Sequence, residues 1–248
     1  MTLDPWNEGV RFGRGIFETI KVQDGKAILK DWHLESLTRA CEALGIQAVD
    51  ISKFHLKPGM ENGIWRWFAT REKSWDLWTF SANKAKEFYT LSLSPFYVNS
   101  TAWDALYKTM SYLLHVQARE SVETDECILL NERHEIASAS MGNIFWVKDG
   151  VTYTPDISCG CRAGVTRRWV IEKSDQKVEI GAWFLEDLEQ ADEVFVSNSL
   201  IGIMPVAEWQ RKGRVTSLRN KLTSTLRDKY HEQLSNGFSS FLPKYEDF

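Results

Sequence analysis

Cysteine is scarce in this sequence, and its scarcity excludes several kinds of site. The chain has four cysteines among 248 residues, which are too few and too scattered for a disulfide scaffold. They are Cys41, Cys127, Cys159 and Cys161. One glycine separates the last two, and neither a second pair nor a histidine cluster accompanies them. We therefore interpret them as loop thiols and not as a metal or redox centre.

Long apolar runs and an excess of positive charge are missing as well. No apolar stretch approaches the roughly 20 residues that span a bilayer, and the first residues lack the apolar core of a signal peptide. The formal net charge is −4, which argues against general nucleic-acid binding. These absences predict a cytoplasmic protein that needs neither a membrane nor a nucleic acid as partner.

The composition that is present is globular and rich in tryptophan. Hydrophobic residues make up 43% and charged residues 26% of the chain, a balance that argues against disorder. The length allows one domain or two. Eleven tryptophans favour a β-rich interior, a dimer interface, or both.

The first third of the chain predicts strands around one helix. Residues 16–22 alternate between apolar and polar side chains, and Asp24-Gly25 indicates a hairpin turn after them. Helical spacing then predicts a helix that Asp31 caps and Gly45 ends. Further strands are predicted at 64–70, 75–81 and 88–93.

A connector divides the chain. Residues 95–104 are typical of a linker, so we predict a small α+β subdomain at 1–94 and a larger α+β subdomain at 105–248. In the larger part, helices are predicted at 113–122, 164–173 and 217–234. Strands are predicted at 126–130, 144–147, 151–154 and 193–197, followed by a Gly/Pro-punctuated run at 201–206.

A single lysine, Lys108, stands among apolar and small hydroxyl residues just ahead of a predicted helix. A lysine that loses hydration can have its pKa lowered, and its neutral amine is then a nucleophile towards carbonyls. A surface lysine at a helix start would have the same sequence. The stretch alone leaves both interpretations open.

Five stretches together resemble the class IV family of pyridoxal 5′-phosphate (PLP) enzymes, which includes branched-chain and D-amino-acid aminotransferases and 4-amino-4-deoxychorismate lyase. They are FGRGIFETIKV (12–22), HLESLTRACEALG (33–45), KTMSYL (108–113), SASMGNIF (138–145) with GCRAGVTR (160–167), and ADEVFVSNS (191–199) with GIMPV (202–206). The resemblance implies the two-subdomain α+β fold of fold type IV, a small-molecule amino substrate and a homodimer.

The resemblance also implies roles for individual residues. Lys108 would carry PLP covalently and then transfer protons. The start of the helix at 164 would cradle the phosphate. The implied cofactor-binding residues are Val165, Thr166, Asn198, Ser199, Ser138 and Arg39, and the implied substrate-binding residues are Phe17, Thr19 and Arg66.

Two positions depart from the family's pattern. Ser36 stands where the family has an arginine for the PLP phosphate, and Arg39, three residues further along the helix, is the candidate replacement. Ser138 stands where the family has a glutamate that keeps the pyridine nitrogen protonated. A serine can hydrogen-bond a neutral nitrogen but cannot hold a proton on it. Transamination depends most on the protonated ring, so this position favours a lyase.

Three functions follow from these residues. The leading hypothesis is a lyase similar to aminodeoxychorismate lyase, which eliminates pyruvate in the pathway to 4-aminobenzoate and folate. The alternative is an aminotransferase of branched-chain or D-amino acids, which needs a group for the substrate carboxylate; Arg14, Arg66 and Arg162 are the candidates. A hypothesis from another class is a binding module that has kept the fold but lost PLP, motivated by Ser36 and Ser138.

Overall fold

The structure is a computed structural model that describes residues 4–47, 54–80 and 86–236. A first, four-stranded sheet lies in the N-terminal part, with the antiparallel order β2-β1-β3-β4. Its strands are β1 (Gly15–Gln23), β2 (Lys26–Ala27), β3 (Gly63–Thr70) and β4 (Ser74–Phe80). Two helices accompany it, α1 (Glu8–Phe12) and α2 (Lys30–Leu44). The predicted strands at 16–22 and 64–70 and the predicted helix are therefore confirmed. Residue 81, the predicted end of the third strand, lies outside the described residues.

The turn and the helix ends of this part follow from backbone conformation. Asp24 and Gly25 have φ angles of 50° and 70°, the left-handed pair that a two-residue hairpin turn requires. Gly45, with a φ of 63°, ends α2 as predicted. The predicted cap is wrong, because Leu29 occupies the N-cap position and Asp31 lies in the first helical turn. There its carboxylate faces the positive end of the helix dipole.

The first core forms between α2 and the inner face of this sheet. Ile16, Ile20, Leu37, Trp65 and Trp67 are fully buried in it. The two indole rings meet edge to face with their centroids 5.0 Å apart, a favourable geometry for aromatic pairs. These two tryptophans therefore belong to the interior of the chain.

The second sheet has nine strands, with the order β10-β9-β8-β11-β12-β5-β6-β7 and β13 paired to β12. Its strands are β5 (Tyr89–Val98), β6 (Glu126–Asn131), β7 (Ile136–Ala139), β8 (Asn143–Lys148), β9 (Val151–Pro155), β10 (Val178–Gly181), β11 (Glu193–Asn198), β12 (Gly202–Arg211) and β13 (Arg214–Ser217). The helices are α3 (Leu113–Glu120), α4 (Val165–Lys173), α5 (Leu185–Leu188) and α6 (Lys221–Asn236). One core lies on each face of this sheet.

Two predicted boundaries need correction. The strand β5 pairs in parallel with β6 and β12, so residues 89–94 belong to the second sheet and not with the first, where the prediction grouped them. β5 also continues to Val98, into the predicted connector. The last helix begins at Lys221 instead of 217, because residues 214–217 form β13.

A short backbone pairing joins the two parts of the chain. Residues 108–110 run along the edge of β1 that β3 leaves free. The Phe17 amide donates to the Lys108 carbonyl oxygen at 3.0 Å, and the Met110 amide donates to the Gly15 carbonyl oxygen at 2.8 Å. This pairing fixes Lys108 between the two sheets. Within the described part of the chain, no helix is both long and apolar enough to cross a membrane.

Candidate active site

The Lys108 side chain lies half-buried in an aromatic environment. Its Nζ atom is 4.3 Å from the ring centroid of Phe17 and 5.0 Å from that of Tyr112. Burial lowers the pKa of Lys108 well below its ordinary value, and the positive charges of Arg162 and Arg66 lower it further. A lowered pKa favours the neutral form of the amine, which is the form that a nucleophilic lysine requires.

The negative charge of Glu18 counteracts this lowering of the Lys108 pKa. Its carboxylate is 5% exposed and lies on the core face of β1. His33 Nδ1 is 2.8 Å from Glu18 Oε2, and the Ser36 hydroxyl donates to Glu18 Oε1 at 2.8 Å. Burial alone would raise the pKa of Glu18, but His33, Lys108 and Ser36 together hold it below its ordinary value. Glu18 is therefore an ionised, fully bonded carboxylate close to the lysine.

A cavity of about 350 Å³ opens beside Lys108. Ser36 and Arg39 of α2 line one side of it, and Gly164, at the start of α4, lines the other. Gly164 supplies no side-chain cap, and the first three amides of α4 have no acceptor among the described residues. Such a helix start binds anions through its free N–H groups and its dipole.

The glycine at the start of α4 is required by close packing. A Cβ atom at Gly164 would lie 2.3 Å from Asn143 Oδ1, far inside van der Waals contact. The Asn143 amide in turn donates to the Arg162 carbonyl oxygen at 2.8 Å. β8 thereby holds the loop that leads into α4, and with it both Arg162 and the free amides.

Groups at this cavity and in β7 have the chemistry that PLP requires. Ser138 of β7 is 5% exposed, and its hydroxyl has no hydrogen-bond partner in the described part of the chain, as expected for a group that meets a polar ligand atom. Ser138 does not line the cavity itself. The uncapped start of α4 suits a phosphate, and Lys108 suits an aldehyde carbon. The buried Thr166 side chain lies next to Tyr230, and its hydroxyl has no hydrogen-bond partner in the described part of the chain.

Of the three predicted substrate-binding residues, Phe17 and Arg66 lie near Lys108, and Thr19 lies beside Arg66 in the sheet. Phe17 contacts the amine, and Arg66 lowers its pKa. Thr19 pairs with Arg66 across β1 and β3, so both side chains are on the face of the sheet that carries Phe17. The Arg66 guanidinium donates to the Thr79 hydroxyl at 3.2 Å.

The predicted pair after β11 has a different environment. The Asn198 amide donates to the Met141 carbonyl oxygen at 3.0 Å, and its oxygen accepts from the amides of Leu200 and Ile201 at 2.9 and 3.0 Å. These bonds shape the turn and tie it to the segment after Ser138. Ser199 follows in this turn and is half-buried.

Three residues near Lys108 were missed as a group by the sequence reasoning. Arg162 Nη2 donates to Tyr112 Oη at 2.8 Å, and the His115 ring stacks on the Tyr112 ring at 4.6 Å. His115 Nδ1 is 2.9 Å from the Ser140 carbonyl oxygen. The spacing of Tyr112 and His115 by three residues was a signal for this stack, because such residues are neighbours on a helix. Their contact with Arg162 spans fifty residues and had no local signal.

Comparison with known proteins identifies relatives for nearly the whole chain. The sequence model of the family described as amino-transferase class IV matches residues 15–209. An aminodeoxychorismate lyase of Bacillus subtilis (strain 168) is 28% identical, over 94% of this chain and 90% of that protein. A D-alanine aminotransferase of Staphylococcus epidermidis is 24% identical, over 82% of each chain.

Solved structures share the fold. A 4-amino-4-deoxychorismate lyase from Pseudomonas aeruginosa superimposes with a TM-score of 0.82 at 24% identity, covering 94% of this chain and 96% of that one. A branched-chain aminotransferase from Thermoproteus uzoniensis, solved with norvaline, also gives 0.82, at 21% identity and with 95% and 90% covered. At these identities the superpositions establish the fold, which confirms the predicted fold type IV.

Proposed function

Because the chain belongs to the class IV aminotransferase family, whose members are PLP-dependent enzymes, we propose that it is a lyase of the aminodeoxychorismate lyase type. In the proposed reaction, 4-amino-4-deoxychorismate loses pyruvate and becomes 4-aminobenzoate. The similarity to the Bacillus subtilis lyase extends over almost the full length of both chains. The match to residues 15–209 establishes membership of the family, and the substrate is proposed from the similarity to this lyase.

The observation that carries the proposal is the position of Lys108. Its amine has a strongly lowered pKa, and Lys108 lines the cavity that Gly164, at the start of α4, also lines. A reactive amine and an anion-binding helix start in one cavity match the two ends of PLP, its aldehyde carbon and its phosphate. We propose Lys108 as the catalytic residue on this ground.

The proposed roles of the other residues follow from their chemistry. The backbone amides of Val165 and Thr166 would hold the phosphate, assisted by Arg39 from α2. The Ser138 hydroxyl would hydrogen-bond the pyridine nitrogen without charging it. When bound, PLP supplies an electron sink for the substrate carbon that bears the amine. Lys108 Nζ, whose pKa is lowered by burial, would remove a proton from that carbon and return a proton later.

An uncharged partner for the pyridine nitrogen favours elimination over transamination. Ser138 is a neutral hydroxyl in a buried position, so it cannot keep the ring nitrogen protonated. Elimination chemistry tolerates a weaker electron sink than transamination does. The second candidate, an aminotransferase, has its support in the D-alanine aminotransferase relative, which matches 82% of this chain.

Product analysis separates the two candidates. The purified protein, loaded with PLP, is incubated with 4-amino-4-deoxychorismate, and 4-aminobenzoate and pyruvate are quantified. In parallel it is incubated with 2-oxoglutarate and D-alanine or a branched-chain amino acid, and glutamate is quantified. Formation of 4-aminobenzoate with equal amounts of pyruvate supports the lyase. Glutamate formation without 4-aminobenzoate would reject the lyase in favour of the aminotransferase.

We further infer that the protein is a cytoplasmic homodimer. Large apolar side chains stand exposed near the N-terminus and before Lys108: Trp6 is 73%, Phe12 63% and Trp103 67% exposed. Phe12 and Trp103 line one surface cavity, so they form a continuous patch of the kind that marks an interface. Sedimentation should give a dimer for the wild type and a monomer for Trp103→Glu. A wild-type monomer would contradict the inference, and cell fractionation tests the compartment.

A further inference from the structure

Arg162 and Lys108 lie beside the same aromatic ring, that of Tyr112. The cavity beside Lys108 is lined by Ser36, Arg39 and the start of α4, and Arg162 is not part of its lining. The Arg162 guanidinium instead lies over the Tyr112 ring, with its central carbon 5.1 Å from the ring centroid. Lys108 Nζ lies 5.0 Å from the same centroid. Two cations therefore share one aromatic ring.

The Tyr112 ring is held from two directions. The Phe17 ring meets it edge to face with a centroid distance of 5.5 Å and an interplanar angle of 89°. The His115 ring lies nearly parallel to it at 4.6 Å and 16°. These two contacts fix the position of the Tyr112 ring. Its hydroxyl therefore orients the Arg162 guanidinium through the 2.8 Å hydrogen bond.

His115 supports this arrangement without adding a positive charge. The Ser140 carbonyl oxygen can only accept, so the Nδ1 atom at 2.9 Å carries the proton. Burial, with help from the charges of Arg162 and Lys108, lowers the pKa of His115 to about 4. Above that pH the imidazole is neutral. The positive field around Lys108 therefore comes from Arg162 and Arg66, and both charges lower its pKa.

Arg162 still has donors to offer. Its one side-chain hydrogen bond among the described residues uses one of the two Nη2 protons. The second Nη2 proton lies on an edge with a donor of either Nε or Nη1, and such a two-donor edge matches the two oxygens of a carboxylate. Of the other arginines considered, Arg14 forms an ion pair with Glu8 at 3.0 Å, and Arg66 bonds the Thr79 hydroxyl.

We propose that Arg162, oriented by Tyr112, binds a carboxylate of the amino substrate and so selects anionic substrates. The proposal rests on the proposed function, because it places the substrate on the Tyr112 side of Lys108. It goes further by naming the group recognised and the residue that recognises it. An anion between Arg162 and Lys108 also neutralises the repulsion that lowers the lysine's pKa.

The test measures carboxylate binding separately from cofactor binding. The PLP-loaded protein is titrated with 3-phenylpropionate in a calorimeter, and 3-phenylpropanamide serves as the uncharged control ligand. We expect Arg162→Gln to weaken binding of the carboxylate at least tenfold and to leave the amide unchanged. Arg162→Lys should recover part of the loss, because it keeps the charge but not the two-pronged edge. Arg14→Gln is the matched control and should bind like the wild type.

Each contrary outcome has a distinct meaning. The proposal is overturned if the wild type and Arg162→Gln bind the carboxylate with equal affinity. It is also overturned if Arg66→Gln is the variant that loses carboxylate affinity and Arg162→Gln is not. A weaker affinity of Arg162→Gln for PLP itself, with unchanged carboxylate affinity, also overturns it, because Arg162 would then serve the phosphate. The wild type could instead bind the carboxylate through Arg162 but never develop the visible absorbance of lysine-bound PLP. That result would refute the proposed function and support this inference.

Discussion

Replacing Glu18 by glutamine removes one buried charge and keeps the shape of the side chain. The carboxylate accepts from Ser36 and is bonded to His33, each at 2.8 Å. Glutamine can still accept from the Ser36 hydroxyl, so the variant loses chiefly the charge-assisted bond to His33. A hydrogen bond to a charged group contributes about 1.5–3 kcal/mol. We therefore expect Glu18→Gln to lower the free energy of unfolding by about 2 kcal/mol at pH 7.

Thermal unfolding measures this loss. For a chain of this size, 1 kcal/mol corresponds to a change in Tm of roughly 2–4 °C, so the variant should melt about 4–8 °C below the wild type. Ser36→Ala is the matched control, since it removes a neutral donor to the same carboxylate. We expect a smaller loss for that variant, about 1 kcal/mol.

The pH dependence identifies the charge as the cause. The pKa of Glu18 is lowered in the folded state, so its stabilising contribution is complete above the unfolded value of about 4.3 and disappears as the pH falls through the folded value. The Tm values of the wild type and Glu18→Gln should therefore converge in acid. A gap that persists unchanged at acid pH, or no gap at pH 7, would refute the reasoning.

Two further predictions concern the start of α4 and the thiols. Gly164→Ala should weaken PLP binding roughly tenfold or more in a titration followed by visible absorbance, because its Cβ would displace Asn143; unchanged affinity would contradict the role given to the free amides. The four cysteines are buried, and burial raises the pKa of Cys41 and Cys127 to about 11. At pH 8 their thiolate fraction is about one in a thousand. Iodoacetamide should therefore label these thiols only after denaturation. Rapid labelling of the native protein would contradict their burial.

The sequence indicated the lysine that we propose as catalytic, but it could not identify the groups that shift the pKa of this lysine. Lys108 was identifiable from its own segment and the signatures around it. One feature of the sequence indicated Glu18: it is a carboxylate on the apolar face of a predicted strand, between Ile16 and Ile20. Its bond to His33, by contrast, depends on how α2 packs against β1, which no local pattern specifies.

The boundary error at residue 94 has a local cause. The predicted linker begins at Pro95, a residue that cannot donate a ladder hydrogen bond. In the structure it lies within β5, where the pairing with β6 shifts register between Leu93 and Tyr97. The missing donor therefore falls in an irregular stretch and does not end the strand. The four-residue strand β7 was missed because its small residues, IASA, carry little strand signal.

The most direct test of the account is the visible absorbance of the purified protein with added PLP, compared with that of Lys108→Ala and Lys108→Arg. The account predicts a visible band in the wild type that survives removal of free PLP by gel filtration, and its absence from both variants. Lys108→Arg keeps the positive charge and so separates covalent attachment from electrostatic binding. A wild type without this band at saturating PLP, or a band of equal strength in Lys108→Ala, would contradict the assignment of Lys108 as the residue that binds the cofactor.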